Sequence, residues 1–306
     1  MSPVEGKVMA LKEATKLIRD GDIIGCGGFS VSRCPSAFAH EMIRQKKRDL
    51  TLVGSNLSFQ MDLLVGGGCV KRCESGTGNL EKFGIAFNFR RACEKGRLEM
   101  EDHSHLAMAS RFLAGEMGLP FMPLMSWLGS DILQHKQPST EKKFTMIDDP
   151  FNPGKRVCLV PALNPDVSII HAQKADEMGN VMLGGCLFHE VEMVRASKKV
   201  LVTCEKIVNS KETRKNPQMT TIPYIYVTAI VEQPWGAHPT SVFGYYDYDG
   251  EHLNHYQECA RAGGEKYERY LNEYVHASET FDEYLEKVGG TQRLSKLRTS
   301  RRQIKR

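Results

Sequence analysis

Short apolar runs alternate with helix-like segments along most of this 306-residue chain, and this order constrains the fold more than any other feature. A helix-like segment at residues 8–18 precedes the apolar run Ile23–Cys26. A second helix is predicted from residue 35 to about 46, because its first residue is a proline, which the first helical turn accepts well. The apolar run at 50–53 follows this helix and is predicted to be the next strand. Further on, the pattern predicts one more helix, at 80–95, and five strands, at 98–100, 157–160, 167–170, 200–203 and 224–231.

Strands that alternate with helices form mostly parallel sheets, since each helical crossover returns the chain to the same edge. The sequence therefore predicts an α/β fold, a mostly parallel open sheet with helices on both faces. Ligands of such sheets bind beyond the carboxyl ends of the strands. A functional site is accordingly expected in the loops that follow the strands.

The composition is that of a soluble globular protein. Apolar residues make up 41% of the chain and charged residues 25%, which are ordinary proportions. No run of 18 apolar residues occurs, and the first residues lack the pattern of a signal peptide, so we predict no membrane span. The nine cysteines include no C-x-x-C pair. This use of cysteine predicts a reducing compartment, the cytoplasm, and no zinc site.

The positive charge of the chain is concentrated at its C-terminal end. Seven of the 41 basic residues lie within residues 292–306, a stretch without any acid. Without them the chain has 34 basic and 37 acidic residues, although its net charge is +4. Such an arm can bind nucleic acid, but a solvated terminus is the more common explanation. We therefore predict one domain over residues 1–290, a basic tail over 291–306, and no nucleic-acid partner.

A glycine-rich turn follows the first predicted strand, at residues 25–29. Because glycine has no Cβ, a ligand or another backbone can approach such a turn closely. A dinucleotide-binding fingerprint needs a third glycine at position 30, where this chain has Ser30. Gly27, Gly28 and Phe29 are therefore candidate substrate contacts, and a purely structural tight turn is the alternative.

Two further stretches carry polar side chains. Gly129 and Ser130 follow an apolar stretch and can offer N–H and hydroxyl donors to an anion, with an ordinary loop as the alternative. No G-x-S-x-G elbow is present, which argues against a serine hydrolase. His103 and His105 are two residues apart and would share one face of a strand. A third metal ligand is not apparent, so we predict no metal and regard surface histidines as the alternative.

The order of these segments resembles the α subunit of family I CoA-transferases. The matching segments are the turn at 27–29, the Leu-Pro-Phe stretch at 119–121, and residues 171–180, which begin with His-Ala and end with Gly-Asn. Residues 147–154, 202–207, 236–239 and 246–249 are similar to the glutaconate type in particular. The similarity covers about residues 7–290, and its order and spacing are more specific than any one motif. It implies the fold shared by these enzymes (NagB/RpiA/CoA-transferase-like).

The resemblance also implies a mechanism. In this family a glutamate attacks the acyl-CoA thioester, an acyl anhydride and then a glutamyl-CoA thioester form, and CoA passes to an acceptor carboxylate. In two-chain members the β subunit supplies that glutamate, and no glutamate of this chain matches its motif. Glu74 stands in a different sequence setting, so we interpret it as a loop acid. The implied partners are the acyl-CoA and carboxylate substrates together with a β subunit; coenzyme A is a substrate, and no cofactor is expected.

Matched by position to the family, Ser55 or Asn56 corresponds to a polar oxyanion or substrate contact. His105 falls where many members carry glutamine, an amide that helps to bind the oxyanion. A related hydrolase branch, which opens carbocyclic rings in steroid breakdown, carries an acid near that place. Because an imidazole can donate a hydrogen bond or act as a base near neutral pH, His105 is the candidate catalytic residue.

Two functions follow from this resemblance. The first is the α subunit of a heteromeric CoA-transferase. The second is a CoA-ester hydrolase on the same scaffold, which would cleave a C–C bond or a thioester with His105 as the base. A small-molecule sensing domain is a third, non-enzymatic hypothesis that no residue favours. For either enzyme we expect Gly28→Val to abolish activity with little loss of folding, since a Cβ would block close approach to the turn.

Overall fold

A computed structural model describes residues 6–134 and 143–299 of the chain. The elements of the first half are α1 (Leu11–Lys16), β1 (Ile23–Cys26), α2 (Ser36–Arg44), β2 (Leu50–Leu57), α3 (Phe59–Gly66), β3 (Val70–Gly78), α4 (Phe87–Glu94), β4 (Glu99–Asp102), α5 (His105–Met117) and β5 (Phe121–Leu124). Those of the second half are β6 (Thr145–Asp148), β7 (Arg156–Pro161), β8 (Val167–Asp176), β9 (Val181–Met182), α6 (Glu190–Ala196), β10 (Lys199–Val208), α7 (Ser210–Lys215), β11 (Ala229–Glu232), α8 (Gly250–Ala262), α9 (Gly264–Leu271), α10 (Phe281–Lys287) and α11 (Gly290–Leu297).

Seven of these strands form one parallel sheet in the order β11-β10-β8-β1-β2-β3-β4. The short strand β9 joins it antiparallel to β8. Side chains alternate along the strands, so Val167 and Ile169 of β8 enter one apolar core while Ile170 and Ala172 enter another. Helices α1 to α4 and α8 to α11 cover the first core, and α5 and α6 cover the second. The predicted mostly parallel sheet with helices on both faces is confirmed.

A smaller antiparallel sheet, in the order β5-β7-β6, lies beside α5. It packs on an apolar cluster of its own that contains the fully buried Trp127 and Cys158. The sequence predicted only β7 of these three strands. Strands β5 and β6 are short and largely exposed, so they lack the apolar run that marks a buried strand.

Two predicted elements are much shorter in the structure. The helix predicted over 80–95 is limited to Phe87–Glu94, since Gly84 has a φ of 108° and interrupts the segment. The strand predicted over 224–231 is limited to Ala229–Glu232, because a single 3-10 turn occupies Tyr224–Tyr226. Both segments are apolar in sequence, and apolar character alone does not say where a regular element begins.

The basic C-terminal segment is folded further than we predicted. Helix α11 buries Leu294 in the larger core, and the Arg293 guanidinium donates to both carboxylate oxygens of Asp249, at 2.7 and 2.8 Å. The predicted tail boundary at residue 291 therefore falls inside a helix, while residues 300–306 lie outside the described ranges. The division into one domain and a tail stays a prediction.

Within the described ranges, no helix has both the length and the apolar character that crossing a membrane requires. All nine cysteines lie in these ranges and are free thiols. The cytoplasmic location stays a prediction.

Candidate functional site

The loops after the first four strands meet at one edge of the sheet, because these strands are parallel and adjacent. The predicted residues Gly27, Gly28 and Phe29 follow β1, and Ser55 and Asn56 lie near the end of β2. His105 follows β4 by three residues and is the first residue of α5. The parallel topology thus places at one edge the candidates that the sequence located on three separate strands.

Ser55 and His105 are in direct contact. The Oγ of Ser55 lies 2.7 Å from Nδ1 of His105, and the Oγ1 of Thr77 lies 3.0 Å from its Nε2. Ser55 is completely buried and His105 is exposed. Asn56 is its neighbour on the strand and points to the opposite face, so it does not take part in this contact. Two hydroxyls therefore fix the orientation of an imidazole that remains open to substrate.

The hydrogen-bond network assigns the protons of this ring. Thr77 Oγ1 donates to the backbone oxygen of Gly76 at 2.8 Å, so its single proton is already used. With its proton used in this way, Thr77 Oγ1 accepts from Nε2–H of His105 and Nδ1 accepts from Ser55, which is the tautomer that this arrangement favours. The result is an N–H donor on the exposed side of the ring. Thr77 was not among the predicted residues.

Helix α5, which carries His105, was not among the predicted helices. Its start has a clear signal, because the Ser104 hydroxyl caps it by accepting from the N–H of Ala107 at 3.1 Å. Its end has another, since Gly118 stands in the left-handed conformation that terminates helices. A serine and a glycine that bracket thirteen helix-compatible residues are the pattern that would have found it.

The glycine turn is shaped by the chain's own backbone. Gly28 has a φ of 87°, and a Cβ there would lie 2.9 Å from the carbonyl oxygens of Ser32 and Arg33. A Cβ on Gly27 would lie 2.6 Å from Ile170 and 2.8 Å from Glu190. We predicted that Gly28→Val would cause little loss of folding. This prediction is wrong, because valine would collide with the turn itself.

A buried ion pair holds this turn in place. The Arg33 guanidinium donates to both carboxylate oxygens of Glu190 in α6, and the N–H of Gly28 donates to the same carboxylate at 2.8 Å. The side chains of Arg33 and Glu190 are 1% and 2% exposed. A charge in such a place is tolerated only while its partner is present.

We expect Arg33→Met to destabilise the chain by about 3–5 kcal/mol, since it leaves the Glu190 carboxylate buried without its counter-ion. Urea unfolding measures the change. The double variant Arg33→Met/Glu190→Leu should recover part of the loss. As a matched control, Arg269→Met breaks an exposed pair with Glu265 and should cost no more than about 1 kcal/mol. Equal effects of the two single variants would contradict this account.

Aromatic rings line the outer side of His105. The ring centre of Phe188 lies 5.7 Å from that of His105 in an edge-to-face arrangement, and 5.3 Å from that of Phe29. Behind Phe188, the ring of His189 stacks on Phe112 with centres 5.0 Å apart. Burial lowers the pKa of His189 to about 4, so this ring is neutral at physiological pH. Phe29 was among the predicted residues, and Phe188 was not.

Gly129 and Ser130 are not brought into this cluster. The N–H and the hydroxyl of Ser130 both donate to the backbone oxygen of Trp127, at 3.1 and 2.8 Å, so both donors serve a local turn. Gly129, with a φ of 79°, completes that turn. The loop reaches the site only indirectly, since Trp127 Nε1–H donates to the Ser104 hydroxyl at 3.2 Å.

Glu74 lies inside β3 and not in a loop, which corrects our interpretation of it. It is 7% exposed and pairs with Arg111 at 2.6 Å and with Arg72 at 2.9 Å. His103 lies in this network, with Nε2 at 3.1 Å from Arg111, whereas His105 faces Ser55. The two histidines therefore do not converge. No cluster of three or more possible metal ligands occurs in residues 6–134 and 143–299.

Comparison with known proteins agrees with this architecture. The family model for coenzyme A transferases matches residues 8–233. The α subunit of glutaconate CoA-transferase from Acidaminococcus fermentans is 37% identical over 93% of this chain and 92% of its own length. The corresponding subunit of 3-oxoadipate CoA-transferase from Pseudomonas knackmussii is 35% identical over 92% of this chain and 98% of its own. A hydrolase is more distant: the cholesterol ring-cleaving hydrolase IpdA subunit of Mycobacterium tuberculosis is 29% identical over 83% of this chain and 88% of its own.

Solved structures agree as well. The crystal structure of glutaconate CoA-transferase from Acidaminococcus fermentans superposes with a TM-score of 0.92 at 36% identity, over 96% of each chain. A crystal structure of the decarboxylase AibA/AibB superposes with a TM-score of 0.76 at 33% identity, over 88% of this chain and all of that one. These matches confirm the resemblance that the ordered motifs indicated. The chain belongs to the coenzyme A transferase family, and within it resembles the α subunits.

Proposed function

We propose that this chain is the α subunit of a two-chain CoA-transferase whose partner supplies the nucleophilic glutamate. The observation that carries this proposal is that two glutamates of this chain, Glu190 and Glu74, are buried in ion pairs. Glu190 is held by Arg33, and Glu74 is held by Arg72 and Arg111; both are more than nine-tenths buried. A carboxylate nucleophile needs an oxygen free to reach the substrate, so these two do not qualify. This supports a nucleophile that comes from outside the site as this chain builds it.

The exchange that such a complex performs is balanced without any oxidant or cofactor. The partner's carboxylate attacks the thioester carbonyl, the C–S bond breaks, and an acyl–glutamyl anhydride forms as CoA leaves as thiolate. The thiolate then attacks the glutamyl carbonyl of the anhydride, which releases the first carboxylate and leaves a glutamyl-CoA thioester. The acceptor carboxylate reverses both steps. Together, these steps divide one difficult transfer into several easier ones.

In this scheme His105 stabilises the negative charge that develops on the thioester oxygen. Its Nε2–H lies on the exposed side of the ring, where the thioester oxygen can approach it beside Thr77, while Ser55 holds Nδ1. Donors that are fixed before the reaction need little reorganisation in the transition state, which is why they are effective. Ser55 is buried, so we assign it a positioning role.

Trapping the intermediate tests which chain carries the nucleophile. The complex is incubated with acyl-CoA without acceptor, treated with borohydride to reduce the thioester, and both chains are analysed by peptide mass spectrometry. We expect the modified glutamate on the partner and none on this chain. A modified glutamate on this chain would overturn the proposal.

We expect His105→Ala to lower kcat/KM of the complex about 10²-fold, the usual scale for losing one oxyanion donor. His105→Gln restores an amide donor and should keep most of the activity. Steady-state kinetics with assembled complexes gives both values. His276→Gln, which changes an exposed histidine outside the site, is the matched control and should leave kcat/KM unchanged.

The hydrolase is the second candidate, and the observation that favours it is the exposed imidazole of His105, a group that can accept a proton. A general base must accept a proton, which an amide cannot do. If His105→Gln is as damaging as His105→Ala, and the complex releases free CoA in water without an acceptor, the hydrolase is supported and the transferase is contradicted. Retained activity in His105→Gln supports the transferase.

A further inference from the structure

Phe188 adopts a backbone conformation that bulky residues rarely take. It lies in the loop between β9 and α6 with a φ of 46°, and its side chain is 46% exposed. A left-handed conformation costs a non-glycine residue about 1–3 kcal/mol and persists only where its surroundings impose it. An exposed aromatic ring recovers little of that cost by burial. The position therefore calls for an explanation beyond packing.

The surroundings that impose this conformation are the ones that hold the glycine turn. The Arg33 guanidinium donates to the carbonyl of Cys186, two residues before Phe188, and to the carboxylate of Glu190, two residues after it. The N–H of Glu190 also donates to the carbonyl of Leu187 at 3.1 Å. One buried arginine thus fixes the chain on both sides of Phe188 and connects it to the loop that carries Phe29.

The strained loop places the Phe188 ring at the candidate catalytic residue. Phe188 and Phe29 stand side by side, and the edge-to-face contact brings Phe188 against the imidazole of His105. Neither phenylalanine ring contacts a cation in the part of the chain that the structure describes. The two rings therefore add an apolar surface beside His105, next to the Thr77 hydroxyl that lies 3.0 Å from Nε2.

Building on the proposed function, we infer that Phe188 and Phe29 form the wall against which the acyl chain of acyl-CoA rests, and that Phe188 sets acyl selectivity. When the thioester oxygen binds Nε2–H of His105, the carbon next to the carbonyl comes within van der Waals reach of the Phe188 ring. A straight chain can lie flat against this ring. A methyl branch on that carbon collides with it, so the substrate class is acyl-CoAs unbranched beside the carbonyl.

The test compares two isomeric substrates on the assembled two-chain complex, butanoyl-CoA and 2-methylpropanoyl-CoA. Glycine suits a positive φ, so Phe188→Gly should keep the fold while it removes the ring. We expect the preference for butanoyl-CoA in kcat/KM to fall at least about tenfold, which is the scale of one methyl group in an apolar site. Phe188→Tyr keeps the ring and should keep the preference. Phe151→Gly removes a ring that is 88% exposed and elsewhere in the fold, and is the control.

Affinity for the same two CoA esters, measured by calorimetry, gives the preference without turnover. If the complex moves no CoA at all, the proposed function fails. The ratio of the two affinities still tests whether Phe188 selects against the branched acyl chain. An unchanged preference in Phe188→Gly overturns the inference. A changed preference that arises only because the two chains separate also overturns it, since Phe188 would then be a contact between the chains. Sedimentation of the variant complex detects such a separation.

Discussion

Purified without a partner, this chain is expected to show no measurable CoA exchange among short dicarboxylates and their CoA esters. The reason is chemical: the chain offers a positioned N–H donor at His105, but its nearby glutamates are buried against arginines. A donor stabilises the oxyanion only after a nucleophile has attacked. Adding the partner chain should restore activity, and activity should saturate at one partner per chain.

The control for this experiment separates assembly from chemistry. His105→Ala should still bind the partner with the same stoichiometry, as sedimentation can show, while it loses most of the activity. Robust CoA exchange by the chain alone would contradict the requirement for a partner. It would also contradict the proposal that the partner supplies the nucleophile.

The second prediction with a large expected effect concerns the stability of the fold at acidic pH. Burial lowers the pKa of five histidines, to about 4 for His189; the others are His40, His103, His238 and His252. Below the unfolded value of roughly 6.5, the unfolded chain binds protons that the folded chain does not. The free energy of unfolding is therefore unaffected above that pH and falls as the pH drops below it. Each such histidine contributes about 1.4 kcal/mol per pH unit.

We expect the free energy of unfolding to fall by several kcal/mol between about pH 6.5 and 5, which is a large part of the total for most proteins. Urea unfolding on both sides of that range measures it. His40→Leu, in a site packed against Phe281 and Tyr284, should make the dependence shallower by about one proton. His276→Gln, at an exposed position, should not. A free energy of unfolding that is flat across this range would contradict the burial of these rings in neutral form.

The sequence anticipated the site in part, and the difference follows from the kind of interaction involved. Gly27 and Phe29 were found because a glycine turn after a strand is a local pattern, and Ser55 and His105 were found by position from the family resemblance. Their meeting at one edge follows from parallel topology, which alternation of strands and helices predicts. The residues that contact them come from distant segments with no local mark of their role, as Phe188 does. The candidate loop at 129–130 lies outside this cluster, and the donors of Ser130 serve a local turn.

What the sequence determined by itself was the class of fold, the family, and the strands that carry the candidate residues, because apolar periodicity and motif order are written along the chain. Only the tertiary structure decided the environment of each charge. Glu74 was expected in a loop and is buried between two arginines, and Glu190 meets Arg33 across 157 positions of sequence. Burial and long-range pairing determine whether a carboxylate is free to react, and they arise only when the sheet brings remote segments together.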